Sequence, residues 1–155
     1  MAASGVFERQ TEYLLNLLLK DEDDYEMNFR SFEDPVEDTE ELESLGRRLR
    51  ELGDEIDKEL LDSFTNDFQQ MAAQHAADKA YELFSRTVNQ ICQERNNEGL
   101  SIELNLLKTT ASLGLQAVKR TPTLFKEIKA AMGSFINKDL KKDLTASGGY
   151  AQVKI

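Results

Sequence analysis

The sequence predicts an all-α bundle of seven to eight helices wrapped around one hydrophobic central helix, forming a single domain over residues 1–155. Three observations predict it. Apolar residues recur at three- and four-residue steps through most of the chain, the period of one helix face. Gly and Pro number only eight and two, too few for a fold built from many turns. Residues 100–119, LSIELNLLKTTASLGLQAVK, carry Leu and Ile around most of the helical wheel, which places them inside a bundle rather than on its rim.

Each element rests on local signals. Residues 5–20, GVFERQTEYLLNLLLK, set Phe7, Leu14, Leu15, Leu17, Leu18 and Leu19 in a helix with little polar face, so it should be mostly buried. Residues 21–38 should be an acidic flexible loop, because like charges repel along the run and Pro35 disfavours helix at Asp34. The next helix should start near Asp38 or Thr39, where Asp38-Thr39-Glu40-Glu41 has capping-box spacing. Its stripe is Leu42, Leu45, Leu49, Leu52, Ile56 and Leu60, about five turns. A break is expected near Asp62-Ser63, then a weaker helix over 64–74 with Phe64, Phe68 and Met71. Residues 77–95 form another, using Ala80, Leu83, Phe84, Val88, Ile91 and Cys92, and NNEG at 96–99 stops it. After the central helix, Thr121-Pro122 reads as N-cap and first helical position. Residues 122–135 and about 136–146 complete the set as two helices, and 147–155 should be a disordered tail.

The net charge of −10 is unevenly placed. Residues 21–44 hold twelve acids and one base, while the remaining 17 acids and 18 bases nearly cancel. Residues 117–155 hold eight bases and three acids. That excess lacks a dense Arg/Lys cluster, so nucleic acid is not an expected partner. It suits an anionic membrane surface, with Lys119, Arg120, Lys126, Lys129, Lys138, Lys141 and Lys142 as the candidate contacts. Lone Cys92 cannot form an internal disulfide, which fits a reducing compartment. Neither a signal peptide at the N-terminus nor an anchor at the C-terminus is expected, and no run of 18 uncharged apolar residues is present to span a membrane.

Catalytic chemistry finds little footing. One His, one Cys and no Trp leave no metal-ligand spacing, so no metal or cofactor is expected. His75 reads as a surface or rim histidine and Cys92 as a buried small hydrophobe. The acids of DEDD at 21–24 lie in one flexible run that cannot hold two cations in fixed geometry. An enzyme is not expected.

The informative stretch is LGRRLRELGDEID, residues 45–57. Leu45, Leu49, Leu52 and Ile56 recur at steps of four, three and four. Gly53-Asp54 interrupts them with a residue that costs about 1 kcal/mol in a helix relative to Ala and a carboxylate that is costly to desolvate unpaired. Both make sense if the stripe docks in another protein's groove, where Gly53 permits close approach and Asp54 meets a cation at the edge. A plain core helix explains the leucines equally well.

This stretch resembles the third homology motif of the Bcl-2 family of apoptosis regulators: four apolar anchors, small residues at Gly46 and Gly53, then Asp54 followed by Asp57. A second segment supports it. Thr121-Pro122-Thr123-Leu124-Phe125-Lys126-Glu127 with Ser134-Phe135-Ile136-Asn137-Lys138-Asp139-Leu140 is similar to the C-terminal helices of the BID-like death agonists of that family. The order of segments agrees as well.

The resemblance implies a Bcl-2-like helical bundle and a pro-apoptotic regulator. Such proteins wait in the cytoplasm until a caspase or similar protease cuts the loop. The fragment moves to the mitochondrial outer membrane, binds pro-survival relatives and activates the BAX and BAK effectors. Asp24 and Asp38 are the candidate cleavage positions; Asp34 is a poor one because Pro35 comes next. The loop contains no Gly, so cutting it exposes no new N-terminal Gly for myristoylation. Glu103, Asn105 and Lys108 in the central helix make deep lipid insertion costly and favour binding on the surface. A BAX/BAK-like effector without an anchor is the nearest rival. Effectors carry an Asn-Trp-Gly-Arg signature where this chain has Asn96-Asn97-Glu98-Gly99 and no Trp. A helical scaffold without apoptotic activity is the other alternative.

Overall fold

The computed structural model describes residues 2–19, 37–51, 56–94 and 101–153. Among them the chain is helical, with α1 Ala2–Leu19, α2 Thr39–Glu51, α3 Lys58–Ala73, α4 Ala77–Glu94, α5 Ile102–Arg120, α6 Phe125–Phe135 and α7 Lys141–Ala146. The fold is the all-α bundle the periodicity predicts.

Helix α5 is the hub and touches α1, α2, α3, α4 and α6. Residues Thr109 to Gly114 are buried in succession, so this part of the helix is enclosed on every side. Enclosure demands small residues and satisfied hydroxyls. The Thr110 hydroxyl donates to Leu106 O at 2.7 Å. A Cβ on Gly114 would lie 2.3 Å from Met132 Sδ, so a larger residue there would have to displace the buried Met132 side chain. Rings fill the space between α3, α4 and α6: Phe84 meets Phe64 and Phe135 edge-on, with centroids 6.0 and 6.2 Å away. The first turn of α5 leaves the core, with Ile102 78% exposed.

Two helix boundaries differ from the sequence expectation. The long helix drawn through Ile56 and Leu60 does not run on: Asp57 has φ −50 and ψ 129, and α3 starts after it at Lys58. The break thus precedes Asp62-Ser63, and Phe64 lies within α3. Gly53, Asp54 and Asp57 are poor helix-interior residues, and Asp suits the position just before a helix. The second difference joins two segments that the sequence reading separates. Helix α6 continues into α7 through a π turn at Ile136–Leu140. Ile128, Met132, Ile136, Leu140 and Leu144 are all buried at strict four-residue steps. An α-helix completes a turn in 3.6 residues, so each such step drifts by about 40°. The wider π turn takes up that drift and keeps the stripe inward.

Thr121 does not cap the next helix. Its hydroxyl donates back to Ala117 O at 2.8 Å, and Pro122–Leu124 form a 3-10 turn leading into α6. The sequence predicts disorder over 147–155, but 147–153, the part described, fold back on the bundle. Gly149 N–H donates to Leu144 O and Gly148 N–H to Thr145 O, at 2.8 and 3.1 Å, a Schellman turn with Gly148 at φ 106. The turn delivers Tyr150 to the core, where it is 1% exposed. The loop expected at 21–38 and the stop at 96–99 lie largely or wholly outside the described residues.

Candidate partner-binding site

Helix α2 carries the first half of the motif. Leu42 and Leu49 are fully buried and Leu45 nearly so, while Glu41, Ser44, Arg47, Arg48 and Glu51 face outward. The apolar face lies on α1 and α5. Fully burying three leucines is worth about 1.5–3 kcal/mol each. Gly46 sits where α1 crosses: a Cβ there would lie 3.4 Å from Leu17 Cβ and 3.6 Å from Leu14 Cδ1. The small position of the motif therefore works within the chain, setting how near α1 lies.

Polar ties fasten both ends of α2 to α1. At the start, Gln10 Nε2 donates to Glu37 O at 3.0 Å and to Asp38 Oδ2 at 3.3 Å. One turn on, the Tyr13 hydroxyl donates to Glu43 Oε1 at 3.1 Å. At the end, Arg50 Nε and Nη2 both donate to Leu18 O, at 3.2 and 2.9 Å. Leu18 O is one of the last carbonyls of α1, which lack intrahelical partners, so Arg50 places a cation on the negative end of that helix. The Arg48–Glu51 pair, 3.6 Å apart, is too exposed to add much.

The second half of the motif is only partly seen. Leu52, Gly53 and Asp54 lie outside the described residues. Ile56 is buried, and its backbone N–H donates to Gln116 Oε1 of α5 at 3.1 Å instead of to a helix carbonyl. Asp57 is exposed, directly before α3, and makes no side-chain cap. Leu45, Gly46 and Leu49 thus share one helix face, whereas Ile56 and Asp57 stand beyond the helix.

The cleavage candidates divide similarly. Asp24 lies outside the described residues. Asp38 is exposed but wound into the start of α2, with φ 60 and its carbonyl accepting from Leu42 N–H at 2.9 Å.

The candidate lipid-facing cations do not form one free basic face. Lys119, Arg120, Lys126, Lys138 and Lys142 are exposed. Lys129 and Lys141 are half-buried and turned to α1, Lys129 lying 3.7 Å from Glu12 and Lys141 2.7 Å from Glu8. The Lys141 ammonium, hydrogen-bonded to Glu8, holds that carboxyl below its usual range. Arg120 pairs with Asp62. Lys138 lies 4.6 Å above the Tyr81 ring, whose hydroxyl donates to Asp139 Oδ1 at 2.6 Å. Burial, then the Asp139 carboxylate, pushes the Tyr81 hydroxyl up to about 12.

His75 is exposed in the turn between α3 and α4, as expected. Cys92 is half-buried rather than fully buried, and its thiol donates to Thr109 Oγ1 at 3.1 Å. Burial raises that thiol above its ordinary value. Among the described residues no three His, Cys, Asp or Glu group as a metal site, and no helix is long and apolar enough to cross a membrane.

Sequence reasoning missed Tyr150. Its ring stacks on Phe7 with centroids 4.9 Å apart, and its hydroxyl shares a 2.7 Å hydrogen bond with Thr11 Oγ1. Gly148-Gly149 just past a helix, with an aromatic next, was the available signal.

The model of one protein family, described as BH3 interacting domain (BID), matches residues 22–146. No individual curated protein matches the chain.

Proposed function

The chain belongs to the BH3-interacting-domain (BID) family, and from that premise we propose that α2 and the residues just after it are the segment that enters the grooves of Bcl-2 family proteins once α1 has been removed. The family is one of apoptotic regulators rather than enzymes, and Bcl-2 family proteins are its partners. The finer reading is a pro-apoptotic protein held inactive by its own fold. The observation that carries it is the seating of Leu42, Leu45, Gly46 and Leu49 against α1, the helix on the far side of the acidic stretch. The face that would fill a partner's groove is already in use.

Proteolysis between the two helices supplies the release. A protease cleft takes extended chain, and Asp38 is committed to the first turn of α2, so Asp24 is the better position for the cut. Residues 45–57 then rewind into one helix in the partner's groove, with Leu45, Leu49, Leu52 and Ile56 as anchors, Gly46 and Gly53 at the close approaches, and Asp54 and Asp57 meeting cations at the rim. The exposed Lys119, Arg120, Lys126, Lys138 and Lys142 hold the fragment on the anionic mitochondrial outer membrane, each contributing about 1 kcal/mol near such a surface. The uncut protein resides in the cytoplasm.

The test is binding of the protein cleaved between α1 and α2 to a pro-survival Bcl-2 relative, with Asp54→Ala alongside. Tight binding that falls at least about tenfold with Asp54→Ala, a loss of about 1.4 kcal/mol or more, is the expected result. No binding at micromolar concentration would return α2 to an ordinary core helix. Release of liposome contents with and without BAK then distinguishes an activator from an effector.

A further inference from the structure

We propose that the C-terminal turn, Ser147 to Val153, is a second latch on α2, seated beside α1 and still joined to the α2 fragment after a cut in the acidic stretch. The proposal rests on the reading of α2 as the partner-binding segment.

The latch is built from the sequence upward. Gly148 and Gly149 have φ of 106 and 85, which L side chains rarely adopt, and they reverse the chain after α7. A Cβ on Gly148 would also strike Gln152 Cγ at 2.5 Å, so the reversal needs glycine there. Tyr150 then enters the seam between α1 and α2. It stacks on Phe7 and bonds Thr11 on the α1 side. On the other side the short 3-10 turn Tyr150–Gln152 packs on α2. Tyr150, Ala151 and Val153 face Leu45, Ser44 and Arg48 across a cleft of about 530 Å³. Leu45 is the first motif anchor, so the turn and a residue a partner's groove would need line the same cleft.

The energetic logic concerns which state the contact survives in. Tyr150 is buried with its hydroxyl on Thr11 of α1, and the turn that carries it packs on α2. If α2 swings out, one wall of the Tyr150 site goes with it. Opening therefore costs the Tyr150 contacts as well as those of α1. When α1 departs, Phe7 and Thr11 depart with it, but Ala151 and Val153 still line the face of α2. Full release thus involves two events, loss of α1 and lifting of the turn.

Amide hydrogen exchange of the intact chain tests this without any partner. Tyr150→Ala should speed exchange at Leu45, Gly46 and Leu49 at least about tenfold more than at Phe84 and Leu113. Leu83→Ala in α4, a buried site away from the turn, is the control and should speed both sets in proportion. If Tyr150→Ala also speeds them in proportion, or leaves α2 unchanged, the latch is overturned and Tyr150 is an ordinary core residue. Should Tyr150→Ala fail to fold, Gly148→Ala strains the turn while leaving the ring intact, and the same selective speeding of α2 is required of it. A failed exchange test strikes the latch alone. Failure of the cleaved wild-type chain to bind a pro-survival relative strikes the underlying reading instead.

Discussion

Helix α2 and helix α5 both place leucines in the core, yet they are buried in different ways. Helix α5 is enclosed over a stretch of consecutive residues, with five other helices around it, and nothing can be removed from it without opening the core. Helix α2 buries a single face, and much of what covers it is α1, joined to it through the acidic run, and a turn at the far end of the chain. The polar ties at its two ends are side chains reaching across a seam. What separates them is whether the cover is itself removable.

The largest effect that would sharpen this comparison comes from matched truncations. Leu113→Ala and Leu49→Ala each remove a fully buried leucine and should cost about 2–5 kcal/mol. Urea unfolding combined with exchange should show the Leu113→Ala loss at every amide, and the Leu49→Ala loss concentrated in α1 and α2 as local opening. Equal spreading of both losses would break the distinction. A smaller effect is expected at Gly46. Gly46→Leu should cost about 1–3 kcal/mol by wedging α1 away. Gly46→Ala should be stabilising by up to about 1 kcal/mol, because its Cβ would meet Leu17 at an ordinary distance while the helix gains propensity. Thermal melts of the pair check both signs. Next in size is Arg50→Met, expected to cost about 1 kcal/mol or less and to raise exchange in the last turn of α1.

The smallest effect depends on pH. Glu8, held down by Lys141, contributes stability above its unfolded value of 4.5, and that contribution fades as pH falls below 4.5 through the lowered folded value. The pair is partly exposed, so screening keeps it small. Lys141→Met should remove this part of the acid sensitivity in urea melts at about pH 3–5 and leave the neutral-pH profile nearly unchanged.

Much of the fold was legible because helix period and helix breakers are local signals. The apolar faces of α2 and α4 are set by residues three and four apart, while α1 and α5 are marked by how little polar face they have. The boundary before α3 was misplaced because the leucine stripe continues in phase through Ile56 and Leu60, while the backbone leaves the helix at Asp57. Periodicity records which residues want burial and says nothing about whether one continuous helix delivers them. The π turn was hidden for a related reason, since four-residue spacing looks helical until its drift is counted. In the candidate site, Leu45, Gly46 and Leu49 were readable as a face, but that the face is turned to α1 is a long-range fact. Tyr150 was missed because its neighbours Phe7 and Thr11 stand more than a hundred residues away, and only the glycine pair hinted at a return.

The seam between α1 and α2 has a consequence for what a single cut accomplishes. While the chain is whole, the acidic run joins α1 to α2 covalently, so return of α1 to its seat is an intramolecular event. Cutting the run severs that tether but none of the contacts at Leu14, Leu17, Gln10 or Leu18. The two pieces would become a bimolecular complex, stable wherever the protein is more concentrated than its own dissociation constant. Cleavage would then act as a change of concentration regime, and release of α2 would await dilution or a competitor able to outbid α1 for the same leucines.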